Sequence, residues 1–262
     1  MEELFDYVKA NALFLRGRYK EAFERYYRGA VSLRDSLAAF NLAFMFHQGY
    51  YTPVNYEMAR RFYQAAAPLD GGASWFNLAI MNLRGQGAFP DFKAAMHCMK
   101  QSAAMGCVDA QLYLGMAYTL GQAFDPIEIE CISLIPFYRI IKRSPEAAML
   151  TGDGFDPHLE EKRFEVIETD EYNAVEMFEQ AAAQTDDTYM EAQIASAKLV
   201  LGQALIEGFG KDYDPDRGFR LIEEAAVLHQ SKEAAGYLRA HMDQAKIYGV
   251  DIKRAVCLLE EE

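Results

Sequence analysis

The chain is poor in the residues that announce chemistry. Its 262 residues include 4 Cys, 5 His and 1 Trp. Cys98, Cys107, Cys131 and Cys257 form no C-x-x-C pair and keep no regular spacing. Neither a zinc site nor a disulfide framework is indicated, and buried free thiols are expected. No two histidines stand in an H-x-x-x-H relation, and no metal or other cofactor is expected. No run of 18 apolar residues occurs, which predicts no membrane span. The opening Met1-Glu2-Glu3-Leu4-Phe5-Asp6 lacks the basic-then-apolar profile of a secretion signal. Together these absences predict a reducing, cytoplasmic setting. Basic residues are also outnumbered, 26 Lys and Arg against 39 Asp and Glu, for a formal net charge of −13. Such a surface repels phosphate backbones, and the basic cluster Arg139, Lys142, Arg143 is too small to reverse that, so nucleic acid is not an expected partner. Only 8 Pro and 18 Gly argue against a disordered or linker-rich chain.

What is present is a repeat. Phe40-Asn41-Leu42-Ala43 recurs 36 residues on as Phe76-Asn77-Leu78-Ala79, and Leu114-Gly115 and Leu201-Gly202 take the Leu-Ala place further along. Four residues before each Leu stands a small residue (Ala38, Ser74, Ala110, Ala197), and seven after it a glycine (Gly49, Gly85, Gly121, Gly208). Ala38, Leu42, Met45 and Phe46 fall on one face of a 3.6-residue helix. The glycine predicts its end, because glycine accepts a left-handed C′ conformation. A second helix is expected to open at Asn55, Asp91, Asp170, and Asp214 or Asp216, residue types suited to N-caps. Each second helix carries a double-alanine mark, read as Ala65-Ala66, Ala103-Ala104, Ala181-Ala182 and Ala225-Ala226.

The order small–x₃–Leu-Gly/Ala–x₂–aromatic–x₂–Gly-x-Gly…Asp…Ala-Ala resembles the Sel-one-like repeat of the tetratricopeptide superfamily. Leu114-Gly115-Met116-Ala117-Tyr118-Thr119-Leu120-Gly121 is the best copy, and Gly85-Gln86-Gly87 and Gly208-Phe209-Gly210 supply paired glycines. The resemblance implies a right-handed all-α solenoid of stacked antiparallel helix pairs, each burying its apolar face against its neighbours. One solenoid domain is expected over 1–262. It would comprise a tetratricopeptide-like pair at 1–35, repeats at 36–71, 72–107, 108–185 and 190–230, and a degenerate capping repeat at 231–262. Ala43 and Ala79 stand where the pattern has Gly, and the second glycine is missing after Gly49 and Gly121, so some distortion of those turns is expected.

From the repeat's Leu to the double alanine the chain runs 67 residues in the 108–185 copy, against 23 to 25 elsewhere. About 43 residues are therefore inserted, over roughly 122–170. Ile127 to Ile141 is rich in β-branched and aromatic residues around Pro136, and Thr151 to His158 reads as a turn. Insertions in repeat proteins often lie on a binding face.

Other motifs dissolve on inspection. Asp212, Asp214, Asp216 and Glu223 match positions 1, 3, 5 and 12 of a calcium loop, but Arg217 stands where glycine must turn the chain, and Pro215 sits inside. Gly152-x-Gly154 and the two repeat-turn pairs lack the strand–helix context of a nucleotide loop. No catalytic constellation stands out. The expected role is a scaffold or adaptor for a protein or peptide, without enzymatic activity and with room for a homo-oligomer. Two alternatives are an enzyme or regulatory subunit with a site between solenoid and insertion (Asp153, Asp156 and His158 first) and a self-assembling structural protein. If each repeat's Leu faces inward, the concave face should present Phe40, Phe44, His47, Phe76, Ile80, Leu83, Arg84, Leu112, Met116, Thr119, Leu199, Gln203 and Glu207. The first half of that set is apolar, which suits a helix or extended peptide with apolar anchors.

Overall fold

The computed structural model describes residues 6–121, 169–184 and 191–257. The insertion, with Cys131, Asp153, Asp156 and His158, lies outside the described residues except for its last two positions. Among the described residues there is no strand. The chain divides into two compact units, Met1–Cys107 and Val108–Glu262. The first holds α1 (Tyr7–Leu15), α2 (Tyr19–Ser32), α3 (Ser36–Gln48), α4 (Tyr56–Ala66), α5 (Ala73–Arg84) and α6 (Phe92–Ala104). The second holds α7 (Val108–Leu120), α8 (Glu171–Ala182), α9 (Glu191–Glu207), α10 (Pro215–Val227), α11 (Lys232–Ala240), α12 (Met242–Ile247) and α13 (Ile252–Val256). Within each unit successive helices pack on one another, the helix-pair stacking of an α-solenoid. Up to α10, odd helices open a pair (A helices) and even ones close it (B helices).

The helix boundaries follow from local chemistry. Asn55, Asp91, Asp170 and Asp214 each cap a B helix, their side-chain oxygens accepting from the N–H groups of Met58, Ala94, Asn173 and Arg217. Asp216 sits instead in the first turn of α10 and pairs with Arg220. Gly49 and Gly85 end α3 and α5 in the left-handed conformation, at φ 77° and 66°. One further bond recurs in all four pairs. The backbone N–H of the capping residue donates to the A-helix carbonyl four residues beyond the repeat's Leu: Asn55 to Phe46 (2.9 Å), Asp91 to Asn82 (3.0 Å), Asp170 to Tyr118 (3.1 Å) and Asp214 to Leu205 (2.9 Å). The third closes around the insertion, so α7 and α8 pair in the same register as their uninterrupted counterparts.

Three expectations are corrected. The buried small pair of the B helices is Ala66-Ala67, Ser102-Ala103, Ala181-Ala182 and Ala225-Ala226, while Ala65 and Ala104 are exposed. In this register the spacing from the repeat's Leu is 24 residues in every copy but the interrupted one. Ser102 is tolerated at 0% exposure because its hydroxyl donates to the Gly72 carbonyl at 2.8 Å. Nor is the turn after Gly49 distorted. Gly87 and Gly210, the second glycines of their pairs, have φ 78° and 67°, and Tyr51 at the same place has φ 68°. The turn keeps its shape and a tyrosine is held in a conformation that side chains disfavour. Of the expected buried thiols, Cys98 and Cys107 are buried but Cys257 is exposed.

The residue after the repeat's Leu sets how near the B helix can come. A Cβ on Gly115 would lie 2.4 Å from the Phe178 ring, and one on Gly202 2.6 Å from the backbone oxygen of Gly218. Gly218 shows the mirror relation, its added Cβ falling 2.6 Å from the Gly202 oxygen. The first unit adds a chain of rings. Phe14 meets Tyr50 (5.1 Å) and Phe44 (6.2 Å), and Phe23 meets Phe46 (5.3 Å), which stacks on Phe62 (5.9 Å). In the second unit Phe219 stacks on Tyr248 at 5.5 Å and ties the short terminal helices to α10. Gly202→Ala gains about 1 kcal/mol of helix propensity but forces backbone apart at a cost of about 1–3 kcal/mol. The expected outcome is a Tm lower by a few degrees in a thermal melt; an unchanged or raised Tm would show that the α9–α10 crossing is loose.

Candidate partner-binding surface

On α3 the side chains turned into the pair include Ala38, Leu42, Met45, Phe46 and His47; on α5 they include Ser74, Leu78, Met81 and Asn82. That phase leaves a half-buried stripe on each helix, carrying Phe40 and Phe44 on α3 and Phe76, Ile80, Leu83 and Arg84 on α5. Phe40 leans on Tyr63 (5.7 Å) and Phe44 on Tyr50 (5.9 Å), so part of each ring serves the fold and part faces out. In the second unit Leu112, Met116, Leu199 and Gln203 are buried, Thr119 is half-buried and Glu207 is exposed. Thr119 donates its hydroxyl to the Gly115 carbonyl at 2.9 Å.

The stripe also carries Asn41 and Asn77, which the sequence reading used only to find the register. Each side-chain amide donates to the carbonyl four residues back, Leu37 at 2.8 Å and Ala73 at 2.9 Å. That anchor fixes the amide's orientation on a half-exposed surface. The recurring Phe-Asn pair was the signal.

His47 lies on the buried side of α3. Its Nε2 bonds Gln86 Oε1 at 2.9 Å, and Tyr63 Oη approaches Nδ1 at 3.5 Å, a pattern that fits a neutral ring donating through Nε2 and accepting at Nδ1. Arg60 donates to Asn82 Oδ1 (2.6 Å) and to the Gln86 carbonyl (3.1 Å), so two repeats are joined by one polar network. Burial and, less strongly, the Arg84 charge hold the His47 pKa below the ordinary histidine value, against the opposing pull of the Gln86 bond.

The described part of the second unit has a cavity of about 620 Å³ at the start of α8 and the α9–α10 turn, lined by Tyr172, Leu205, Lys211, Asp212 and Arg217 among others. Lys211 and Arg217 (3.0 Å) both pair with Glu179. Burial raises the Glu179 carboxyl, but the two cations outweigh it and hold it below the usual range. Three of the four acids at calcium-loop spacing are engaged separately: Asp214 caps α10, Asp216 pairs with Arg220, and Glu223 accepts the Asp251 N–H at 3.0 Å. Among the described residues no helix is long and apolar enough to cross a membrane.

One family model matches a chain of this geometry. The Sel1 repeat model matches residues 36–69, 76–107, 108–127, 164–186 and 195–226, more than half of the chain. The chain belongs to the Sel1 repeat family. Among solved structures it is similar to a Sel1 repeat protein from Oxalobacter formigenes, with 21% identity and a TM-score of 0.59 over 85% of this chain and 49% of that one. A protective antigen present in uropathogenic Escherichia coli strains, displaying an SLR fold, aligns at 19% identity and a TM-score of 0.40 over 95% of this chain and 58% of that one. The chain thus spans about half the length of the solved structures it matches. No curated protein matches it.

The His47 network predicts a pH dependence. The unfolded ring titrates near 6.5 and the folded one below that, so the unfolded chain binds more protons in between. Stability from this group is complete above the unfolded value and falls as pH drops through 6.5 toward the folded pKa. In denaturant melts, His47→Gln is expected to flatten the loss of stability between about pH 6.5 and pH 5. Parallel curves for the two proteins would remove His47 from the account.

Proposed function

We propose that this chain is a protein-interaction scaffold, as Sel1 repeat proteins in general are, and that it holds a peptide or protein segment along the A-helix stripe of its first unit. The observation that carries this reading is the run of half-buried apolar side chains on two neighbouring A helices: Phe40 and Phe44 on α3, Phe76, Ile80 and Leu83 on α5. Asn41 and Asn77 stand beside them as oriented amides, and Arg84 adds a cation at one end. Apolar anchors between fixed polar groups are what a segment with spaced hydrophobic side chains requires. The corresponding apolar positions of the second unit are buried, so the reading rests on the first unit. The proposed repeat frame is 36–71, 72–107, 108–185 and 190–230, with a tetratricopeptide-like pair before and a capping repeat after it. The residues of the enzyme reading, Asp153, Asp156 and His158, lie outside the described residues.

The test is affinity capture from native lysate with the intact chain and with Phe44→Glu combined with Ile80→Glu, after circular dichroism melts show both folded. Capture of the same partner by both would overturn the stripe. In a third arm residues 123–168 are replaced by a short Gly/Ser loop. Retention of the partner there is expected; its loss would assign recognition to the insertion instead.

A further inference from the structure

Hydrogen bonds from both helices of the first repeat pair converge on two residues of the second. His47 on α3 bonds Gln86 Oε1 at 2.9 Å, and Arg60 on α4 donates to the Gln86 carbonyl (3.1 Å) and to Asn82 Oδ1 (2.6 Å). Asn82 extends the joint, its amide donating to Cys98 Sγ on α6 at 3.7 Å, and the Arg60 charge bears on the same thiol. The interior of the joint is closed to water: His47, Asn82 and Cys98 are 9%, 7% and 8% exposed.

Of the groups in this joint, His47 is the one that titrates near neutral pH. The neutral ring fits its place, with Nε2 on Gln86 and Nδ1 facing the Tyr63 hydroxyl at 3.5 Å. The charged ring does not. From α4 it is faced by the Tyr56 ring (5.7 Å), by the Tyr63 ring (5.9 Å) and hydroxyl and, beyond Gln86, by Arg60. From α5 it is faced by Arg84, and from the α5–α6 turn by Gln86. None of these is a carboxylate. Tyr63 supplies no anion either, since burial and the neighbouring Asp70 keep its hydroxyl protonated. A second ring proton therefore makes a cation away from water, beside cations of the same sign. An exposed ring regains its hydration, so the proton favours whatever state frees the ring.

We propose that this joint is a pH-sensitive hinge between the first two repeats, opened when His47 takes up a proton. Phe44 lies three residues before His47 and Ile80 six before Gln86, so opening changes the spacing of the two A helices that carry the stripe. As a control on partner binding the hinge rests on the stripe reading. As an opening of the joint it does not, and its test involves no partner.

Cys98 reports the opening, because it is buried under Asn82 and Arg60. The full chain is labelled with a dipyridyl disulfide, which reacts in acid as well as at neutral pH, and peptide mass spectrometry reads each cysteine by itself. Dividing the Cys98 rate by that of His47→Gln at the same pH removes the reagent's own pH dependence. Between about pH 7.5 and about pH 5.5 this ratio is expected to rise by about tenfold, the ceiling for one proton taken up by a freed ring of ordinary pKa 6.5. Cys107, buried at the end of the same unit but outside the joint, should show a level ratio. Gln86→Glu sets a carboxylate against Nε2 and raises the pKa of the closed ring, so acid should then hold the joint shut and slow Cys98 labelling on the same scale. A flat Cys98 ratio, Cys98 and Cys107 rising together, or an acid response in Gln86→Glu of the same sign as in the unaltered chain would each overturn the hinge. Circular dichroism first shows each variant folded, and Gln86→Glu alone, compared with the unaltered chain, decides the matter if His47→Gln does not fold.

Discussion

The closeness of the two helices in a pair governs the rest of this molecule. An isolated helix of 11 to 17 residues, the length of those in the four repeat pairs, is marginal in water; it persists because its apolar face is covered by a neighbour. Coverage is complete only when backbones approach, and the approach is limited by the side chain after each repeat's Leu. Gly115 admits the ring of Phe178, and Gly202 and Gly218 bring the backbones of α9 and α10 together. Ala43 and Ala79 occupy the same place in the first unit, both fully buried, opposite the register of Tyr63 and Met99. Once the pair is close, the capping residue can return its N–H to the A-helix carbonyl, and the turn between them is fixed at both ends.

That closure explains how the chain tolerates 43 extra residues inside one repeat. The insertion leaves after Gly121 and the chain returns at Asp170, whose N–H meets the Tyr118 carbonyl as its counterparts meet theirs. The pair α7–α8 closes on itself, and the entropy of a longer connection grows only slowly with length. An A–B turn is therefore a place where a repeat protein can acquire a new segment while keeping its core. The same turns in the first unit have acquired aromatic rings instead, at Tyr51 and Phe89.

The A-helix stripe of the first unit is apolar, with oriented amides and little charge. His47, the histidine nearest the stripe, is spent on joining two repeats.

The sequence by itself determined the helix-pair fold, the capping residues and the insertion, because each depends on short-range rules: a small residue, a Leu and a glycine at fixed spacing, then an Asp or Asn with its side chain three residues from the N–H it accepts. The register of the double alanine slipped by one in two copies, since Ala65-Ala66-Ala67 and Ala103-Ala104 offer several alanines and only packing shows which are covered. The stripe residues could be named from periodicity, but not how far each is shielded: Leu112 and Leu199 share the phase of Phe40 and Phe76 yet are buried by what packs on them. Tertiary structure alone decided that His47 turns inward, that Tyr51 keeps a glycine's conformation, and that Phe89 stands in solvent. Each of these depends on contacts between residues far apart in the chain, or on their absence, and no local spacing encodes them.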